Sequence, residues 1–143
     1  MILVDTGVIV AALVPEDDRH QVCAQLLRDL KSRGEVLLLP ATVAAEAGYL
    51  IYSSYGGAEL EVEFLESVAK GDFQPVELLT EDYARMAELA NKYVDFPLGT
   101  TDASVIAIAE RLEIDTIATI DRRHFTAVRP RHVKAFNLLP AKL

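Results

Sequence analysis

Hydrophobic residues along the chain occur in two patterns, short unbroken runs and longer stretches where they recur every three or four residues. Unbroken runs predict buried parallel strands, whereas the helical spacing predicts helices packed on a sheet. The predicted strands lie at 2–4, 36–39, 73–78 and 116–120, with 134–137 as a candidate for the last. Because strands alternate with helices, the fold class is predicted to be α/β, a three-layer α/β/α sandwich with a mainly parallel central sheet.

Small and polar residues mark where the predicted helices begin and end. Asp17 or Asp18 is expected to cap the first long helix, and Thr42 and Thr101 are expected to cap two later ones. Gly34 is expected to end the first of these helices, because glycine readily adopts the left-handed backbone that follows a helix.

Length and cysteine content limit the kind of protein this is. The chain has 143 residues without repeats or linkers, so one domain spanning 1–143 is predicted. A single cysteine, Cys23, excludes an internal disulfide and a cysteine zinc cage. The apolar opening contains Asp5, lacks the basic start of a signal peptide and is too short to span a bilayer. We therefore expect a cytoplasmic protein without a membrane partner.

The charge of the chain is unevenly distributed. A net charge of −8 argues against a protein that coats nucleic acid passively. Residues 122–134, however, contain arginine, lysine and histidine side chains and no acid. This segment is either a patch that meets a polyanion or a solvated loop, and both interpretations stay open at this point.

Four carboxylates interrupt otherwise apolar segments. Asp5 and Asp121 directly follow predicted strands, Glu46 lies in the first turns of the helix after the second strand, and Asp102 begins a helix. In parallel α/β sheets, sites form outside the carboxyl ends of the strands. Each acid alone could be a cap or turn residue, so the prediction depends on all four falling at one edge of the sheet.

Together, the four acids predict a divalent-cation site. Carboxylates in apolar surroundings lose solvation and repel one another unless they are paired or coordinated. No basic residue lies near Asp5, Glu46 or Asp102 in the sequence. An oxygen-only ligand set suits Mg²⁺ or Mn²⁺, which also accept phosphate oxygens. The reaction predicted from the residues is metal-assisted hydrolysis of a phosphodiester.

Segments along nearly the whole chain resemble those of the PIN-domain family in order and spacing. The four acidic segments are ILVDTGVIVAAL, PATVAAEAGYL, LGTTDASVIAIAERL and IATIDRRHF, and the closing RPRHVKAFNLLP resembles the family's last strand. The closest likeness is to bacterial VapC-type toxins. The resemblance implies a PIN-like fold and a Mg²⁺- or Mn²⁺-dependent endoribonuclease that hydrolyses RNA with a metal-activated water. It also implies a homodimer and a cognate antitoxin protein that blocks the acidic site.

The resemblance also assigns roles by position. The catalytic and metal-binding residues are Asp5, Glu46, Asp102 and Asp121. Thr6 and Thr119 are expected to support these ligands, Thr119 beside Asp121. The residues expected to contact RNA phosphates or the antitoxin are Arg122, Arg123 and His124. The residues considered for base stacking, or alternatively for a dimer interface, are Tyr49, Tyr52 and Tyr55. For Tyr49, packing in the core is an equally open alternative.

The chain departs from the family's pattern at two glycines. Gly7 stands where many relatives have a serine, and Gly99 stands where some carry another acid, three residues before Asp102. These differences leave the number of bound ions and their affinity open, although all four acids are kept.

Three alternatives come from other classes of protein. A non-catalytic PIN-like module that binds RNA or a protein would be indicated by loss of one of the four acids, and none is lost. An aspartyl phosphatase needs an acid two residues after the aspartate that ends its first strand, where Gly7 stands. A phospho-receiver domain needs adjacent acids at the end of that strand and a suitably placed lysine at the last strand, and this chain offers neither convincingly.

Overall fold

The computed structural model describes the backbone of residues 1–143 and the side chains of residues 1–53 and 57–143. The strands are β1 (Ile2–Val4), β2 (Leu37–Pro40), β3 (Gln74–Val76), β4 (Thr116–Ala118) and β5 (Asn137–Leu139). The helices are α1 (Thr6–Leu13), α2 (His20–Ser32), α3 (Ala41–Leu50), α4 (Gly57–Ala69), α5 (Thr80–Lys92), α6 (Thr100–Leu112) and α7 (Arg122–Ala127). A π-helical segment, Ile51–Gly56, joins α3 to α4.

The five strands form one sheet in the order β3-β2-β1-β4-β5, and every pair is parallel. Leu3 of β1 is aligned with Leu38 on one side and Ile117 on the other. The chain runs outward from β1 to β3 and then crosses to β4 on the other side of β1. Right-handed crossovers therefore place helices on both faces, which confirms the predicted α/β/α sandwich. The change of direction between β1 and β4 leaves a crevice at their carboxyl ends.

The buried core explains why the sequence shows unbroken apolar runs. Every residue of β1 and β2 is buried, because helices cover both faces of the central strands. Helix α6 is buried continuously over 103–109, where alanine and serine alternate with larger residues and allow close packing. Asp102 directly precedes this buried stretch, so its position is fixed by the core. Within the described residues, no helix is both long and apolar enough to cross a membrane.

Several predicted helix caps were wrong. Helix α2 begins at His20, and Asp17 instead accepts a hydrogen bond from the backbone nitrogen of Arg19 at 2.8 Å. Helices α3 and α6 follow Pro40 and Gly99 without a side-chain cap, so neither Thr42 nor Thr101 is a cap. Their hydroxyls bond to other elements instead.

Other predicted boundaries were close to the observed ones. Gly34 follows the end of α2 with a φ of 78°, as predicted. The last strand lies at Asn137–Leu139, a few residues beyond the predicted 134–137. There its residues pair with Thr116 to Ala118 of β4.

Candidate active site

All four acids predicted from the sequence line one cavity of about 390 Å³ at the carboxyl ends of β1 and β4. Asp5 follows β1, Asp121 is the N-cap of α7, Glu46 lies within α3 and Asp102 lies in the first turn of α6. The remaining lining residues are Thr6, Gly7, Val10, Asp17, Leu50 and Ile120. The structure therefore brings together acids from four separate segments.

Asp5 is the most buried of the four, with 5% of its surface exposed. The Thr119 hydroxyl donates to its Oδ2 at 2.9 Å, and the backbone N–H of Thr6 also bonds to it. Burial raises the pKa of Asp5 from 3.8 to about 6, against the lowering effect of these two hydrogen bonds. The nearby charges of Asp102 and Asp121 raise the pKa further. The ionised form of Asp5 is therefore destabilised in the cation-free protein.

Asp102 and Glu46 face the same cavity from two neighbouring helices. Burial raises the pKa of Asp102, and the charges of Asp121 and Glu46 add to this, while His124 opposes it. Thr101, at the start of α6, donates its hydroxyl hydrogen to Oε2 of Glu46 at 2.6 Å. The threonine expected to cap α6 thus orients a carboxylate on α3, a role that the sequence gave no means of finding.

His124 lies against two of the acids. Its Nδ1 is 2.7 Å from Oδ2 of Asp121 and 3.9 Å from Oδ2 of Asp102. Partial burial lowers the pKa of His124, but the hydrogen bond to Asp121 and the charges of both aspartates outweigh it and raise the pKa above 6.5. From the sequence, His124 was expected only to contact RNA or the antitoxin. The spacing of three residues from Asp121 at a helix start was the signal for this contact.

The two threonines expected to support the ligands both lie beside the acids. Thr119 is fully buried, and its Oγ1 donates to Asp5 and accepts from the backbone nitrogen of Asp121 at 2.9 Å. It was expected to serve Asp121, and it contacts both. Thr6 is 4% exposed, and its hydroxyl has no hydrogen-bond partner among the residues with described side chains.

The basic segment 122–134 does not form a continuous free patch. Arg122 donates to the backbone carbonyl of Pro140, and Arg123 lies over the ring of Phe96, with its guanidinium carbon 5.1 Å from the ring centroid. Arg131 pairs with Glu88 at 2.6 Å. Much of the positive charge is thus engaged within the molecule. The roles of Arg122, Arg123 and His124 towards RNA or antitoxin stay predictions.

The two glycines that depart from the family's pattern have different surroundings. A Cβ added to Gly7 would lie 2.8 Å from Cγ1 of Ile120, so the isoleucine side chain occupies the space that a serine would need. A Cβ added to Gly99 would meet no heavy atom within 4 Å. Crowding therefore does not explain why glycine, and not an acid, stands at position 99.

Two tyrosines of the predicted trio are exposed. Tyr49 and Tyr52 have 67% and 56% of their surfaces accessible, next to the end of α3. The side chain of Tyr55 lies outside the described residues. Both rings are accessible to another molecule, and the alternative of core packing for Tyr49 is excluded.

The donor set fits a divalent cation. Carboxylate side chains, whose oxygens hard cations prefer, line the cavity. Thr6 lines it as well, and its buried hydroxyl has no partner among the described side chains. Burial and the neighbouring acids raise the pKa of Asp5, and a bound cation would favour its charged form. Asp102, Asp121 and His124 each offer a ligand atom, and these atoms lie within 4.8 Å of one another.

The fold and the site together define an α/β/α domain with an acidic centre at the switch point of its parallel sheet. A family model for the PIN domain matches residues 2–129. The chain therefore belongs to the PIN domain family, which confirms the resemblance seen in its four acidic segments.

Individual relatives agree with this membership. The chain is 28% identical over 138 residues to ribonuclease VapC26 of Mycobacterium tuberculosis, covering 96% of this chain and 99% of the relative. Its fold is similar to that of VapC20 of the same species, a sarcin–ricin loop cleaving toxin, with a TM-score of 0.80, 19% identity and coverage of 94% and 99%. It is also similar to VapBC2 of Rickettsia felis, solved with a fragment of promoter DNA, with a TM-score of 0.68, 17% identity and coverage of 96% and 98%.

Proposed function

We propose that residues 1–143 form one PIN domain that acts as a Mg²⁺- or Mn²⁺-dependent endoribonuclease, the toxin of a toxin–antitoxin pair. The observation that carries this proposal is the convergence of four carboxylates on one cavity at the carboxyl ends of β1 and β4. The similarity to ribonuclease VapC26 along nearly the whole chain supports RNA as the substrate. The similarity in fold to a toxin that cleaves the sarcin–ricin loop agrees with the toxin role.

Asp5 and Asp102 would be the principal metal ligands, and Glu46 and Asp121 would complete the site. A divalent cation bound there would neutralise phosphate charge and make a water molecule acidic enough to attack phosphorus at neutral pH. The protein would hold the carboxylate ligands in position in the absence of the cation. Thr119 fixes the carboxylate of Asp5. Because the described side chains offer no serine or cysteine in the cavity lining, the attacking group would come from water.

Support for the metal ligands by threonine hydroxyls can be tested at Thr101. The Thr101→Val variant removes the hydrogen bond to Glu46 and keeps the size of the side chain. Loss of a ligand's supporting hydrogen bond typically costs about 10- to 100-fold in metal affinity or activity, and we expect an effect within this range. Thr101→Ser, which retains the hydroxyl, should restore most of it. Equal metal affinity in all three proteins would show that Glu46 needs no support or binds no metal.

The surface supports the partners that the resemblance implies. Tyr49, Tyr52, Val62 and Leu65 expose apolar surface on α3, α4 and the segment between them. Exposed apolar side chains close together mark contact surfaces in many proteins. We propose that this region serves a homodimer, and that a cognate antitoxin covers the acidic cavity.

The first experiment is to incubate purified, antitoxin-free protein with mixed cellular RNA in Mg²⁺, in Mn²⁺ and in EDTA. The Asp5→Asn and Asp102→Asn variants are compared with Asp115→Asn, an exposed acid that precedes β4 at the opposite end of the strand from the cavity. We expect cleavage that needs metal, is lost in the first two variants and persists in the third.

The alternative is a PIN-like module that binds RNA or a protein without cutting. If the folded wild type binds RNA and cuts nothing with either metal, this alternative replaces the ribonuclease. Metal-dependent cleavage that is equal in wild type and Asp102→Asn would instead place the active site elsewhere.

A further inference from the structure

The chain's three histidines have different partners. His20 and His132 each bond to a backbone carbonyl, at 2.8 Å and 2.7 Å. His124 alone among them faces carboxylates, with its Nδ1 directed at Asp121 and Asp102. An imidazole nitrogen therefore lies beside two of the acids that line the cavity.

The separations suit a single bound cation. Ligands at about 2.1 Å from an ion lie about 3 Å apart when adjacent and about 4 Å apart when opposite. Nδ1 of His124 lies 2.7 Å and 3.9 Å from the nearest oxygens of Asp121 and Asp102. All three ligand atoms lie within 4.8 Å of one another. Shifts of less than about 1 Å would place them around one ion.

The imidazole is held in this position by its own surroundings. Its ring lies against Phe96, with centroids 4.9 Å apart. Its backbone nitrogen donates to Oδ1 of Asp121 at 3.1 Å, which fixes the start of α7. The next residue, Phe125, is buried in the core. The nitrogen is thus placed beside the acids without needing a cation to organise it.

A second observation at the same cavity points to a ligand. Thr6 lines the cavity, and its buried hydroxyl lacks a hydrogen-bond partner among the described side chains. A buried polar group left without a partner costs free energy, and a ligand bound in the adjoining cavity would offer one. An acidic lining of this kind is completed by a cation and the water that it carries.

We propose that His124 is a nitrogen ligand of the metal centre, together with Asp102 and Asp121, and that it gives this chain a preference for first-row transition cations over Mg²⁺. The proposal rests on the metal-dependent function above and names the ion class that this site takes. Mg²⁺ prefers oxygen donors, whereas imidazole favours transition cations. The oxygen-only ligand set expected from the sequence is replaced here by a mixed one.

The direct test is pulsed electron paramagnetic resonance of the full-length protein loaded with Mn²⁺. A histidine ligand couples its nitrogen to the Mn²⁺ electron spins, and the signal changes when the histidine nitrogens are isotopically labelled. We expect this coupling in the wild type and its loss in His124→Gln. The matched variants His20→Gln and His132→Gln should keep it. If His124→Gln does not fold, labelling of the wild type still shows whether a histidine is bound, and retained coupling in His20→Gln and His132→Gln excludes the other two.

Binding of Co²⁺ and Mg²⁺ to the same proteins, measured by calorimetry, gives a second readout. We expect His124→Gln to weaken Co²⁺ binding by about 10-fold or more and to change Mg²⁺ binding by less than about 3-fold. Equal losses for both cations would indicate that His124 only orients Asp121, and would overturn the preference.

The outcomes separate this inference from the proposed ribonuclease. Metal-dependent RNA cleavage with no histidine coupling overturns the role of His124 and leaves the ribonuclease intact. Coupling that requires His124, in a protein that cuts no RNA, supports the ligand and removes the ribonuclease. Failure to bind Mn²⁺ at all overturns the inference, and His124 is then simply a positive partner for Asp121.

Discussion

Replacing Asp5 with asparagine is expected to make the cation-free protein more stable while removing a metal ligand. Asparagine has the size of aspartate and can still accept from Thr119, but it carries no charge. In the folded protein, burial first and then the charges of Asp102 and Asp121 raise the pKa of Asp5 from 3.8 to about 6. Near neutral pH, the folded wild type must therefore keep Asp5 as a charged carboxylate, although its burial disfavours the charge.

The size of the effect follows from the shift in pKa. A rise from 3.8 to about 6 corresponds to about 3 kcal/mol, at about 1.4 kcal/mol for each pH unit. The new amide N–H₂ needs partners of its own, and a buried donor without one costs about 1–3 kcal/mol. We expect Asp5→Asn to exceed the wild type in free energy of unfolding by up to about 2 kcal/mol at about pH 7.5.

The dependence on pH has a definite sign. Because the folded-state pKa of Asp5 lies above the unfolded value, folding favours the protonated form. The corresponding stability is fully present below pH 3.8 and is lost as the pH rises through about 6. The wild type should therefore lose about 2 kcal/mol relative to Asp5→Asn between about pH 4 and pH 7.5.

Urea unfolding in EDTA at several pH values measures this difference, with Asp115→Asn as the control for loss of an exposed acid. Adding Mn²⁺ should then stabilise the wild type more than Asp5→Asn, because only the wild type keeps all its ligands. A difference between the two proteins that stays constant from pH 4 to pH 7.5 would refute the reasoning, since it would mean that Asp5 is not destabilised by its surroundings.

Two further predictions concern the packing around the site and the core. Gly7→Ala should lower the free energy of unfolding by about 1 kcal/mol, because crowding against Ile120 exceeds the gain in helix propensity. This loss should vanish in an Ile120→Ala background. The control Gly48→Ala should be neutral or stabilising, because its added Cβ makes only an ordinary contact. Arg111→Met should cost about 3 kcal/mol, because it leaves Asp82, 2% exposed, without its only ion-pair partner among the described residues. Urea unfolding midpoints measure the effects of Gly7→Ala and of Arg111→Met. If the unpaired charge of Asp82 is the cause of the second loss, Arg111→Met should cost less in an Asp82→Asn background.

The sequence predicted those parts of the fold and site that depend on local pattern. Unbroken apolar runs predicted the central strands because parallel strands are covered on both faces. Acids directly after two of those runs predicted the cavity, because the carboxyl ends of parallel strands meet at one edge. Asp5 and Asp121 were found in this way, and the topology of the sheet explains why Glu46 and Asp102 join them.

What the sequence did not predict depends on contacts between distant segments. Thr42 and Thr101 have the chemistry of helix caps, but their hydroxyls contact Ser104 at 2.5 Å and Glu46 at 2.6 Å, partners far away in the chain. The contact of His124 with Asp121 could be inferred from their spacing in the sequence. Its contact with Asp102 depends on how the fold brings the start of α6 and the start of α7 together. The local sequence limits which hydrogen bonds a side chain can make, and the tertiary structure determines which of them forms.

The bond between Thr119 and Asp5 joins residues 114 positions apart, and this separation matters during synthesis of the chain. A growing polypeptide contains Asp5 and Glu46 early, but it has no complete centre until β4 and α7 have been made and have packed beside β1. If the protein cuts RNA, the ribosome that makes it is therefore not exposed to a finished nuclease until Asp121 and α7 have been made. For the same reason, a stop codon anywhere before β4 would yield only inactive fragments.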